Sequence, residues 1–125
     1  MDILVIVNQG PRPNREAGDF SPAMTALRFV RAALKAGHKV PAVFFQGEGI
    51  NNAIERIEPG DHLQPAPNLW QQVTEHHHID LLLCSAAVAR RLDKETAAKI
   101  KKSFCHAGLA TMWDIAGRCD RVVTF

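Results

Sequence analysis

The residues that could do chemistry in this sequence are three cysteines, a run of histidines and two glycine-containing turns. Cys84 is the best placed. It follows the run 79–83, apolar except for Asp80, and precedes Ser85-Ala86-Ala87, so it falls where a strand ends and a helix begins. Unpaired amides at a helix start carry partial positive charge and favour a thiolate. A persulfide anion, one sulfur longer, gains from the same amides. The small neighbours leave the sulfur uncrowded for visiting proteins. Arg90 and Arg91, about two turns on, can add positive field or simply face water. From position alone, a reactive thiol and a small buried hydrophobe are evenly matched readings of Cys84.

The other groups point less clearly to function. Cys119 stands just before the last strand and reads as core packing. Cys105 also reads as packing, the alternative being a nearby thiol that resolves a persulfide as a disulfide. The three cysteines are too few and too far apart for a disulfide scaffold and lack the CxxC spacing of a structural zinc site. A reducing cytoplasm fits this usage. His76-His77-His78 resembles a metal tract, but adjacent helical positions point in different directions and cannot converge on one ion. The Gly47-Glu48-Gly49 turn can offer amides to an anion, yet neither it nor Asn8-Gln9-Gly10 has the glycine fingerprint of phosphate or dinucleotide binders. No Ser-His-Asp arrangement and no acid/base carboxylate pair is legible. Neither a metal nor an organic cofactor is expected.

The elements that must position Cys84 read as alternating strands and helices. Residues 3–7 are an unbroken apolar run, the pattern of a strand buried on both faces of a parallel sheet. The loop 8–19 follows. Ser21 then serves as N-cap with Pro22 at the first helical position, Leu27, Val30 and Leu34 share a face, and Gly37 ends the helix. The next strand covers 40–45, with Pro41 at its start or along an edge. A turn at 46–49 leads to a short helix over 51–57. Asn68 caps a helix carrying Leu69, Trp70 and Val73.

Residues 79–83 form the third strand, 86–91 a helix, and 93–102 a stretch of helical character. Phe104 and Cys105 form a very short fourth strand. Thr111 with Asp114 resembles a capping box for the last helix, and 121–125 is the final strand. This alternation predicts a three-layer α/β sandwich around a mostly parallel sheet of about five strands. Ligands of such sheets gather outside the carboxyl ends of the strands, where the loops 8–19 and 46–52 meet the turn at Cys84.

Length and composition set the outer limits. The 125 residues make a single domain over 1–125, large enough for one real core. A formal net charge of +2 spread along the chain gives no reason to expect nucleic-acid binding. The denser basic stretch 94–102 is interrupted by apolar residues and reads as a solvated helix face. No apolar run approaches the roughly 20 residues of a membrane span. The opening residues do not look like a signal peptide.

With these pieces placed, the sequence resembles the DsrE/TusD family of small sulfurtransferase subunits. The likeness is carried by 3–11 with Ala36-Gly37-His38, by Val43-Phe44-Phe45 with Gly49-Ile50-Asn51-Asn52, by Trp70 with 81–87 and Arg90-Arg91, and by Ala107-Gly108-Leu109 with the ending 119–125. The resemblance implies a single DsrE-like α/β domain with Cys84 as the catalytic residue. It implies sulfur-carrier proteins as persulfide donor and acceptor, and paralogous subunits in a heterohexamer or self-association as a homo-oligomer. The sulfur would go to 2-thiouridine of tRNA or serve dissimilatory sulfur metabolism.

The sequence departs from the family pattern after the basic position: Arg90-Arg91-Leu92-Asp93-Lys94-Glu95 splits the acidic pair with a lysine. Two other readings keep the fold. One is a non-catalytic structural subunit of a DsrE-like oligomer. The other is a flavodoxin-like module binding a small anion or nucleotide through the loops at Asn8 and Gln46.

Overall fold

The computed structural model describes residues 1–11, 21–55 and 65–125. The parts of the loop 8–19 and of the helix expected over 51–57 that fall at 12–19 and 56–57 lie outside the described residues. Five strands form one sheet: β1 (Ile3–Val7), β2 (Ala42–Phe45), β3 (Asp80–Cys84), β4 (Phe104–Ala107) and β5 (Arg121–Thr124). Their order across the sheet is β4-β3-β2-β1-β5, and every pairing between them is parallel. The expected α/β sandwich is therefore present, and the sheet is wholly rather than mostly parallel.

The helices are α1 (Pro22–Lys35), α2 (Ala66–Thr74), α3 (Ser85–Arg91), α4 (Lys94–Ala97) and α5 (Leu109–Arg118), with a 3-10 helix over Gly47–Ala53. Strands β1 to β4 step across the sheet in one direction, so right-handed crossovers place α1, α2 and α3 on one face. The chain then returns from one edge to the other through α5, which the same rule sends over the opposite face. On the first face Phe45 stacks edge-on with Trp70 (5.0 Å between ring centroids) and with Phe104 (5.4 Å). The second face carries Leu4, Ile6, Phe44 and Leu82 in register, all buried.

Burial explains why β1, β2 and β3 read as apolar runs and the edges do not. Leu4 is wholly buried, whereas its β5 partner Val122 is 47% exposed. A fully buried leucine stabilises by about 1.5–3 kcal/mol and a half-exposed valine by a fraction of that. The fold therefore rests on the three central strands.

Local sequence signals match some helix ends and not others. Ser21 is the N-cap of α1 with Pro22 at its first position, and Gly37 takes φ 90° just beyond its end. Asn68, by contrast, is no cap: α2 starts earlier, with Pro65 at its N-cap, and Asn68 Oδ1 is buried without a partner among the described residues. The capping box at Thr111 is also absent. Helix α5 starts at Leu109 after Gly108, and the Asp114 carboxylate pairs with Arg118 at 3.1 Å on the exposed surface. The helical stretch over 93–102 shrinks to α4. Asp93 caps it by accepting from the Thr96 amide at 2.7 Å, which holds its carboxyl below the usual carboxylate range.

Candidate active site at the rim of the sheet

The parallel register aligns Val7, Phe45, Leu83 and His106 across four strands. One residue further, Asn8, Gln46, Cys84 and Ala107 therefore stand side by side at the carboxyl rim. Cys84 closes β3 and is the N-cap residue of α3, without a capping hydrogen bond from its side chain. Ala107 is its direct strand partner, and the next residue, Gly108, is the N-cap of α5. Neither α3 nor α5 has a side-chain cap. The starts of two helices, both without a side-chain cap, thus stand beside Cys84 in the register.

Access to the sulfur is narrower than the small neighbours suggest. Cys84 is only 6% exposed, while Ser85 and Ala86 stand open to solvent. Ala87 and Val88 turn inward and fix α3 on the core. The thiol therefore lies just beneath the surface. A sulfur added to it would lengthen the side chain by about 2 Å, the length of an S–S bond.

The loops beside Cys84 are held by polar contacts that are not legible in the chain's order. Gln46 Nε2 donates to Asn8 Oδ1 at 2.7 Å, tying the ends of β1 and β2 together. Asn52 is completely buried; its Nδ2 donates to the carbonyls of Gly49 (2.8 Å) and Gln9 (3.0 Å). Its Oδ1 accepts from the indole of Trp70 at 3.1 Å. One amide thus ties together the loop after β1, the 3-10 helix and α2, and the 3-10 helix in turn packs against α3. Glycines make this closeness feasible. A Cβ at Gly49 would run into the carbonyl of Val7, and Gly47 adopts φ 56°.

The remaining candidates fall away from this rim or behave differently. The Gly49 amide already donates within its own turn, to the Gln46 carbonyl at 2.8 Å, and the Gln46 amide goes to Val7 at 3.0 Å. Those two donors are not free for an anion, which weighs against the nucleotide-module reading. Arg90 and Arg91 are exposed in the last turn of α3, about 9 Å along its axis from Cys84. His76, His77 and His78 lie exposed just past α2, and no metal-holding group of His, Cys, Asp or Glu occurs among the described residues.

Cys119 is half-buried against the core as expected; burial pushes its thiol up, with Asp2 and Asp120 adding to the effect and Arg118 opposing it. Cys105 contradicts the packing expectation. It faces solvent, because β4 is an edge strand and the second face is open there. No helix among the described residues is long and apolar enough to cross a membrane.

Comparison with known proteins agrees with this architecture. A TusD sulfurtransferase of Erwinia tasmaniensis is 36% identical over 82% of this chain and 88% of its own length. The DsrE protein of Allochromatium vinosum is 30% identical over 100% of this chain and 98% of its own. The crystal structure of the YchN protein from E. coli superposes with a TM-score of 0.68 over 100% of both chains at 16% identity, a likeness of fold. The profile of the DsrE/DsrF-like family matches residues 1–125, and the chain belongs to that family.

Proposed function

We propose that this chain is a sulfur-relay subunit that accepts sulfane sulfur on Cys84 as a persulfide and passes it to an acceptor thiol. The observation that carries the reading is a thiol at the strand-end rim, between two helix starts without side-chain caps, in a chain whose relatives bear the name sulfurtransferase. The Cys84 thiolate attacks the outer sulfur of a donor persulfide, and the donor leaves as a thiolate. The acceptor later repeats the exchange on the sulfur now held by Cys84. This is thiol exchange with one extra sulfur, so it needs a thiolate and access rather than an acid/base pair.

Donor and acceptor are sulfur-carrier proteins, and the sulfur ends in tRNA 2-thiouridine or in dissimilatory sulfur metabolism. Three free cysteines suit a reducing cytoplasm. Leu109 (50% exposed), Trp113 (69%) and Val122 (47%) leave more apolar surface open than a small monomer needs, which supports assembly with paralogues or with copies of itself.

The burial of Cys84 favours one rival, a scaffold subunit with an inert thiol. Incubation with a persulfidated carrier protein, followed by intact mass measurement, separates the two. The relay reading expects the wild type to gain one sulfur atom and Cys84→Ser to gain none. A wild type that gains nothing leaves the scaffold.

A further inference from the structure

Cys84 and Cys105 lie on the same face of adjacent strands. The β3–β4 register pairs Leu82 with Cys105 and Cys84 with Ala107, so the two cysteines occupy one diagonal of a four-residue patch. Leu82 and Ala107 occupy the other. Strands spaced about 4.8 Å apart, with two residues of about 3.3 Å along the strand, put the cysteine Cα atoms about 8 Å apart. That exceeds the roughly 7 Å limit for a disulfide, so direct bonding between them would require the backbone to move. A persulfide changes the reach. One more S–S bond of about 2 Å on Cys84 shortens the gap that its outer sulfur must cross to a thiol at Cys105. Ala107 contributes only a single methyl to the patch.

The two thiols also differ in access, which gives the diagonal a direction. Cys84 is 6% exposed and Cys105 is exposed on the edge strand. Resting on the persulfide reading of Cys84, we infer that Cys105 is a second sulfur station, which takes the outer sulfur from Cys84 and presents it at the surface. The Cys105 thiolate attacks the outer sulfur. A new S–S bond forms at Cys105 as the bond to Cys84 breaks, and the electron pair leaves on the Cys84 thiolate. Any proton on the outer sulfur travels with it. The sulfane sulfur moves between equivalent thiols, so no oxidant or reductant is consumed.

The test is a time course. Substoichiometric inorganic polysulfide labelled with a heavy sulfur isotope is added, samples are quenched by alkylation, and the Cys84 and Cys105 peptides are mapped by mass. Label should appear first on Cys84 and then on Cys105, in a second phase whose rate is independent of protein concentration. In Cys105→Ser the label should stay on Cys84, and its release to excess glutathione should slow on the order of tenfold, because an intramolecular acceptor is lost. Ala107→Val fills the diagonal with a residue suited to an edge strand and should slow the second phase more than it slows loading of Cys84.

A second phase that scales with protein concentration, or label that leaves Cys84 at an unchanged rate in Cys105→Ser, overturns the inference and leaves Cys84 as sole carrier. Failure of Cys84 to load at all overturns the relay reading along with it.

Discussion

Replacing Asn52 by leucine tests the network that shapes the rim. The side chains are close in volume, so little cavity forms, but all three hydrogen bonds vanish: two to the carbonyls of Gln9 and Gly49 and one from the Trp70 indole. Each buried polar group left unpaired costs about 1–3 kcal/mol, and the three are not additive, so a loss of about 3 kcal/mol is expected for Asn52→Leu. For a 125-residue chain that corresponds to a fall in Tm of about 12 °C. Thermal unfolding followed by circular dichroism measures it. Trp70→Phe deletes the indole donor alone, and the Asn52→Leu/Trp70→Phe cycle should show a coupling of about 1 kcal/mol. Hydrogen exchange should rise in Gly47–Ala53, the element the amide holds. A Tm within about 3 °C of wild type, or strict additivity in the cycle, would refute a structural role for the network.

Other expected outcomes follow from single contacts. Gly49→Ala sets a methyl against the Val7 carbonyl at the end of β1, and should cost about 1–3 kcal/mol in denaturant unfolding; a neutral result would mean the loop shifts freely. Alkylation at mildly alkaline pH should modify Cys105 before Cys119, since one is exposed and burial raises the thiol of the other; the reverse order contradicts the assignment. Because the Cys119 thiol is raised in the fold, its stabilising share is present at lower pH and is lost as pH climbs through the folded value, so Cys119→Ala should flatten the alkaline side of the stability profile. Asp93 has the opposite sign: its carboxyl is held below 3.8 by the Thr96 amide, so the cap persists above the ordinary carboxylate range and is lost as pH falls through the lowered value. An NMR titration of Asp93 with a midpoint at or above 3.8 would contradict it.

The strands and their end at Cys84 were legible because the sheet is parallel and covered. Residues 3–7 and 79–83 are apolar throughout, except at Asp80, for that reason, and the ends of such strands are where ligands of parallel sheets gather. Signals set by distant partners were not legible. The basic stretch after Asp93 has helical rhythm, yet Ile100 is drawn into a bridge with Ile54 and the Lys101 amide donates to the Ala53 carbonyl at 3.0 Å. Those contacts end α4 at Ala97, against local propensity. Nothing local to Asn52 signals burial, which depends on a tryptophan that only the folded chain brings to it. Cys105 is exposed because β4 is an edge, and strand order does not follow from the sequence of elements.

The persulfide itself is the most direct thing to measure. After brief loading from a persulfidated carrier and alkylation, peptide mapping of the wild type should find one extra sulfur on the segment holding Cys84, and a chase with an acceptor thiol should remove it within a single turnover. Sulfur that never reaches that segment, or that stays on it through the chase, would contradict a relay.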